Sequence, residues 1–409
     1  MKKHLSILIL MLSLFGMVKA QTPSAEKSAL AQAEEQLRYL VEQTTLGRKE
    51  STDKSKLMPR CVEKDGSLRL VGIGDWCSGF FPGMLWQMWD YTQDSYWREL
   101  AVSNTWKLED LKWNNSSHDL GFMVYNSFGK AYEFTGERSF RDVVIQAAKT
   151  LATRYDANVG CIRSWSWGTP ERWQYAVIID NMMNLELLFQ ASILTGDKSF
   201  YDMAVSHANQ TLKNHFRADN SSYHLVDYNP ADGSVIKRIT HQGIADESVW
   251  SRGQAWGFYG FTMCYRYTQD VRYLEQAKKI ARFFFSQQAL PADLIPYWDM
   301  RDPAIATNHT EVPRDASAAA IFASGLYELA TYVEETEAKG YRELADGILH
   351  SLSTSYQPAP KTTQGFLLLH STGNYPANDE IDVPIIYADY YYLEALRRQE
   401  LLNKQQGHF

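Results

Sequence analysis

The sequence predicts an all-α fold, six helical hairpins closed into an (α/α)6 barrel with long rim loops, and three observations carry the prediction. First, one phrase recurs along the chain: an apolar helix ends in Thr-Gly or Thr-Gln, Asp or Glu follows, and an aromatic residue opens an Ala-bearing helix. Second, the first and last helical segments are apolar on one face and lack the polar outer surface that an end-cap needs, which favours closure over an open solenoid. Third, the intervals between hairpins are long and rich in Gly, Pro, Asp and Trp, the composition of loops that carry function.

The elements follow in order. Met1-Lys2-Lys3 is a basic start, an apolar run extends from Leu5 to Phe15, and Val18 and Ala20 are small residues of the kind a signal peptidase accepts. Residues 1–20 therefore read as a secretory signal too short to span a membrane. Residues 21–409 read as a single catalytic domain, exported to a bacterial periplasm. A first helix is expected over 25–45. Hairpins then turn at Thr92-Gln93-Asp94, Thr135-Gly136-Glu137, Thr195-Gly196-Asp197 and Thr268-Gln269-Asp270, with an eroded fifth copy over 326–345 and a last helix over 387–398. Gly or Gln at the end of one helix and an acidic residue at the start of the next are stop and start signals. No hairpin can bury its apolar face alone, so neighbours must stack. Alternating polar and apolar residues over 223–228 and 235–240, separated by Asn229-Pro230-Ala231-Asp232-Gly233, predict a small β-hairpin on the rim.

Composition narrows the function. Apolar residues at 45% and charged residues at 22% are globular values and exclude a disordered chain. A net charge of −7 with no dominant basic patch excludes nucleic acid as the expected partner. The 12 Trp, 24 Tyr and 18 Phe exceed what a core demands, because a buried indole needs a partner for its N–H, and sugar-stacking platforms are one use for the surplus. Cys61, Cys77, Cys161 and Cys264 match no metal-ligand spacing, so structural zinc is not expected. Free, partly buried thiols are the default, with Cys61–Cys77 the one pairing worth testing. No Gly-x-Ser-x-Gly, P-loop or dinucleotide fingerprint occurs.

Two aspartates stand out. Asp180 lies inside the nearly uncharged run Val177-Ile178-Ile179-Asp180-Asn181-Met182-Met183, where burial would raise its pKa towards that of a general acid; the alternative is a helix N-cap. Asp119, in Ser117-His118-Asp119-Leu120-Gly121-Phe122, allows the same two readings. Facing each other, the two would split into one proton carrier and one lasting anion. The segment from Thr240 to Trp256 concentrates His, Gln, Arg and Trp, and Arg252 and Trp256 lie four apart on one helical face. Arg suits a carboxylate or sulfate and Trp a stacking plane. His241, Asp246 and Glu247 match no metal template, and no metal or cofactor is expected. Trp76, Trp165 and Trp167 fall in rim loops beside Gly and Ser, where core packing is the competing reading.

Together, Gly79-Phe80-Phe81-Pro82-Gly83-Met84-Leu85-Trp86, His118-Asp119-Leu120-Gly121-Phe122, Ile179-Asp180-Asn181-Met182-Met183-Asn184, His241-Gln242-Gly243, Ser251-Arg252-Gly253-Gln254-Ala255-Trp256 and the piece from Glu380 to Tyr391 resemble glycoside hydrolase family 88, the unsaturated glucuronyl hydrolases. The resemblance spans nearly the whole mature chain and implies an (α/α)6 barrel, in agreement with the hairpin count. It implies a hydrolase that releases the 4,5-unsaturated uronic acid from the non-reducing end of lyase-generated glycosaminoglycan oligosaccharides by adding water across the vinyl ether. It further implies Asp180 as general acid and base, and Asp119 as the residue that positions the ring and keeps the proton on Asp180. Trp76, His118, Trp165, His224, Gln242, Arg252 and Trp256 would line the sugar subsites. The rivals are an unsaturated rhamnogalacturonyl hydrolase acting on pectin fragments, an (α/α)6 sugar epimerase using paired His bases, and a non-catalytic glycan-binding protein. The stretch 370–375, expected to border the leaving sugar, has no Lys or Arg, which leans towards chondroitin- or hyaluronan-type disaccharides without an absolute need for sulfate. A small oligosaccharide is thus the expected partner, and nothing in the sequence speaks to oligomeric state.

Overall fold

A computed structural model of the protein describes residues 23–169 and 171–404, with backbone alone for 23–28; the expected leader, 1–20, lies outside the described residues. The main helices alternate between an outer and an inner layer. The outer ones are α1 (Pro23–Glu50), α3 (Ser95–Trp106), α5 (Arg138–Ala152), α7 (Lys198–Asn214), α9 (Val271–Phe285) and α12 (Glu335–Ser355). The inner ones are α2 (Phe80–Thr92), α4 (Lys130–Thr135) with its π-helical lead-in Gly121–Gly129, α6 (Asn181–Thr195), α8 (Ser251–Thr268), α11 (Ala316–Ala330) and α13 (Ile386–Asn403). A short helix, α10 (Ala304–Asn308), sits in the loop before α11. Each inner helix packs on the next, and α13 packs on both α11 and α2, so the ring closes. This is the (α/α)6 barrel that the hairpin count predicts. Among the inner helices α2, α6 and α11 are mainly apolar, and α11 is buried along its whole length, because neighbouring helices cover it on every side.

The repeated phrase folds the same way each time. Gln93, Gly136, Gly196 and Gln269 end an inner helix in the left-handed conformation, at φ 56°, 68°, 74° and 54°. Glycine is at ease there; the two glutamines are compensated by returning their amide N–H groups to carbonyls of the turn they close. Asp94, Asp197 and Asp270 then cap the next helix by accepting the N–H of Tyr96, Ser199 and Arg272. Glu137 makes no such bond. These inner-to-outer turns are short and lie at one end of the barrel. The inner helices are also joined by a partly buried ion-pair network: Arg266 bridges Glu186 and Glu328 at 2.6 Å each, and Arg398 lies 3.0 Å from Glu328.

The outer-to-inner connections are the long ones, and all lie at the opposite rim with the N-termini of the inner helices. There, β1 (Lys56–Val62) pairs with β2 (Leu68–Gly72), and β3 (Tyr155–Asp156) with β4 (Cys161–Ile162). A three-stranded antiparallel sheet runs β5 (Ala176–Ile178), β6 (Leu225–Tyr228), β7 (Val235–Ile239). The expected rim hairpin is β6–β7; β5 and β1–β2 were not legible in the sequence. All four cysteines are buried free thiols, and Cys61 and Cys77 are not joined. Among the described residues no helix is long and apolar enough to cross a membrane.

Candidate active site

The rim receives the positive ends of the inner helices, a favourable setting for an anionic ligand, and the side chains singled out in the sequence gather there. Asp180 stands immediately before α6. Its side chain makes no cap bond to the helix, so the N-cap reading fails at this position. The residue is only 9% exposed, and its Oδ2 is buried without a hydrogen-bond partner. Burial, opposed by the Arg252 charge and reinforced by that of Asp119, raises its pKa from 3.8 to about 7. This is a carboxylic acid that holds its proton near neutrality.

The small sheet explains why His224 is beside it. Ile178 of β5 pairs with Leu225 of β6, and the Ile179 N–H donates to the carbonyl of His224 at 2.9 Å, which sets His224 next to the turn carrying Asp180. His224 Nε2 lies 3.7 Å from Asp180 Oδ2. Its Nδ1 accepts the backbone N–H groups of His241 and Gln242 at 2.9 and 3.2 Å. A nitrogen that accepts cannot carry hydrogen, so the proton is on Nε2, facing the aspartate. Burial holds the ring well below the usual imidazole pKa, and it is a neutral N–H donor.

Asp119 precedes the π-helical lead-in of α4, half-buried. Ser117 Oγ donates to its Oδ2 at 2.6 Å and His118 Nε2 lies 3.3 Å from its Oδ1. The π-helix is possible because Gly121 has no side chain: a Cβ there would lie 2.5 Å from Asn184 Cα in α6. Asn184 Oδ1 in turn accepts the N–H of Phe122 at 3.0 Å, locking the lead-in of α4 against α6. Widened turns of this kind recur at functional sites because they re-aim a side chain without breaking the helix. Here the turn brings Asp119 close enough for its charge to act on Asp180.

The remaining expected residues divide into two groups. Trp76, Trp165 and Gln242 are half-buried at the mouth. Trp76 lies 4.9 Å from the Tyr387 ring, Trp165 6.1 Å from His224, and Gln242 Nε2 donates to the Gly373 carbonyl at 3.3 Å. His118, Arg252 and Trp256, expected to line the sugar subsites, are fully buried, at 0%, 1% and 0% exposure. The first turns of α8 run inside the ring, so Trp256 packs on Phe122 and Tyr391 under the pocket surface. Arg252 spends both of its Nη groups within the protein. Its Nη1 is 3.0 Å from Asp315 Oδ2 and 2.6 Å from the Thr372 carbonyl, and its Nη2 donates to the Gly373 carbonyl. It ties the loop before α13 to the start of α11. Asp246 accepts the Thr240 N–H and Glu247 pairs with Arg217.

Sequence reasoning missed Asp315, Asp299 and Ser117. Asp315 is fully buried, caps α11 by accepting the Ser317 N–H, and holds Arg252. Asp-Ala-Ser before an alanine-rich run is a start signal that would have found it. Asp299 accepts the N–H groups of Ile244 and Val249, each at 3.1 Å, and so shapes the loop that delivers Gln242; only the three-dimensional arrangement reveals it.

Comparison with known proteins agrees with this fold. The family model for Glycosyl Hydrolase Family 88 matches residues 53–357. An unsaturated glucuronyl hydrolase of Formosa agariphila is 48% identical over 348 residues, covering 85% of this chain and 84% of the relative. An unsaturated chondroitin disaccharide hydrolase of Streptococcus pneumoniae is 33% identical, covering 79% and 81%. Among solved structures, an unsaturated glucuronyl hydrolase specific for heparin superposes with a TM-score of 0.84 at 42% identity, covering 91% of this chain and 98% of the other. The unsaturated glucuronyl hydrolase of Bacillus sp. GL1 superposes with a TM-score of 0.81 at 30% identity, covering 91% and 97%. With this barrel, these motifs in order and these relatives, the chain belongs to Glycosyl Hydrolase Family 88.

Proposed function

We propose that this glycoside hydrolase releases the 4,5-unsaturated uronic acid from the non-reducing end of lyase-generated glycosaminoglycan oligosaccharides by hydrating the vinyl ether, with Asp180 as the acid. The observation that carries the reading is the Asp180 carboxyl: buried, free of its helix, with one oxygen unpartnered and a pKa raised to about 7. An enol ether is already electron-rich at C4, so a single proton delivered there is the demanding step, and general acid catalysis supplies about 10²–10⁴-fold for such a transfer. As the C4–H bond forms, the double-bond electrons leave an oxocarbenium at C5. Water adds to C5 and gives its proton to the carboxylate just formed, which restores the acid. The resulting hemiketal opens, and the uronate parts from its leaving sugar.

Each neighbour has a place in this cycle. Asp119, held by Ser117, orients the ring hydroxyls, and its charge keeps the proton on Asp180. His224 offers its Nε2–H to Asp180 when the proton has left, and the Arg252 charge favours that same anionic state. Trp76, Trp165 and Gln242 meet the sugar at the mouth, while His118, Arg252 and Trp256 support it from below. The carboxylate spacing that separates retaining from inverting glycosidases does not govern a hydration. The relatives' names, glucuronyl and chondroitin disaccharide hydrolases, support this substrate class over pectin fragments. A non-catalytic glycan binder would have no use for a carboxyl held neutral. The basic-apolar start of the chain supports a single exported domain working in the periplasm. The test is a panel of lyase-generated disaccharides, followed by loss of the ultraviolet band of the conjugated double bond. Turnover of glycosaminoglycan-derived members is expected, and failure on all of them, with turnover of rhamnogalacturonan fragments, would overturn the assignment.

A further inference from the structure

Arg252 spends its two Nη groups on Asp315 and two carbonyls, and a second cation stands at the mouth, in the loop between β4 and β5 that also carries Trp165. Arg172 is exposed, and among the described residues no carboxylate pairs with it. It is nonetheless held in place. Its guanidinium lies over the Trp173 ring at 4.4 Å and the Trp167 ring at 5.3 Å, and its Nη2 is 3.1 Å from His241 Nδ1. The loop is built for this posture. Gly168 adopts φ +107° directly against the Trp173 indole, where a Cβ would lie 2.4 Å from Nε1, and that Nε1–H donates to the Trp167 carbonyl at 2.7 Å. Trp167, 46% exposed, stacks on Trp165 at 4.8 Å and 26°. The wall is continuous with the site: His241 lies 5.2 Å from Trp165 and its ring is nearly parallel to that of His224, which faces Asp180.

We infer that Arg172 is a specificity-determining residue that reads an O-sulfo group on the substrate, its open N–H edge accepting the sulfate while Trp167 and His241 hold the other side. The inference rests on the hydration reading above. Sulfate is favoured over the uronate carboxylate by position. That carboxylate is attached to C5, one of the two reacting carbons, and has to sit beside Asp180, whereas Arg172 stands two imidazole rings further out at the rim. A planar guanidinium preorganised by stacking is the group best suited to bidentate recognition of such an oxyanion.

The test compares kcat/KM of the wild-type enzyme, Arg172→Ala and Arg172→Lys on the unsulfated unsaturated disaccharide and on its 2-O-, 4-O- and 6-O-sulfated forms. For at least one sulfation position, the ratio of sulfated to unsulfated kcat/KM is expected to fall about tenfold or more in Arg172→Ala, with Arg172→Lys intermediate, as for loss of a charge-assisted hydrogen bond. Ratios within about threefold of wild type at all positions, whatever happens to either substrate alone, would overturn the inference. A wild-type enzyme that consumes none of these substrates defeats the proposed function instead, so the two failures are distinct.

Discussion

Replacing Asp180 with asparagine should stabilise the folded protein, by an amount that depends on pH in a defined way. Asparagine keeps the shape of the side chain and removes its ionisation. The aspartate titrates at 3.8 in an unfolded chain and at about 7 in this site. Below about pH 3, well under the unfolded value, both states hold the proton and the two proteins should melt alike. From there to pH 7 the unfolded aspartate loses its proton while the folded one keeps it, so wild-type stability declines as pH rises. Above pH 7 the folded state carries a buried carboxylate and the full penalty is present. Roughly three pKa units at 1.36 kcal/mol each give a gap on the order of 4 kcal/mol. For a chain of this size that is a rise in Tm of about 5 °C, scaling from the unfolding entropy per residue. Thermal melts of both proteins at pH 4, 6 and 8, under one buffer series of constant ionic strength, read it directly. Equal melting temperatures at pH 8, or a variant less stable than wild type there, would refute the claim that burial keeps this carboxyl neutral.

Other outcomes follow from the same geometry. The kcat/KM profile should fall tenfold per pH unit above about pH 7, because the acid form of Asp180 is the one that delivers the proton; a profile flat to pH 9 would contradict it. Ser117→Ala removes the hydroxyl 2.6 Å from Asp119 Oδ2 and should lower kcat about 3–10-fold, the worth of one hydrogen bond, with little change in Tm. Arg252→Met leaves Asp315 buried without its partner and frees the Thr372–Gly373 carbonyls, so denaturant unfolding should show a loss of about 3–5 kcal/mol. Gly121→Ala would put a Cβ 2.5 Å from Asn184 Cα. It should lower stability by about 1–3 kcal/mol and reduce turnover further, since the π-helix that aims Asp119 has to shift.

Much of the fold was legible because its grammar is local. The Thr-Gly/Gln-Asp turns encode a left-handed stop and an Asp start within three residues, and their repetition gives the hairpin count without any knowledge of packing. The strands were harder: β5 is a three-residue apolar piece that exists only because Ala176, Val177 and Ile178 find partners in β6, some fifty positions on. Asp180 was legible as an acid within a greasy run, and the structure decides between its two readings by showing no cap bond. The depth of the expected subsite residues was not legible. Helical spacing places Arg252 and Trp256 on one face of α8, but which of its faces meets the lumen and which meets the core is settled by the ring around it. The neutral state and orientation of His224 were likewise out of reach, because they depend on two backbone N–H groups seventeen and eighteen residues away.

The account stands on proton delivery from Asp180 to C4, and one measurement addresses it most directly: double-bond consumption by Asp180→Asn beside its equilibrium affinity for the same unsaturated disaccharide. The account predicts that decay of the conjugated ultraviolet band slows by about 10³-fold or more, within the range such catalysis supplies, while the dissociation constant stays within a few-fold of the wild-type KM. A variant that still clears the band at near the wild-type rate would contradict it.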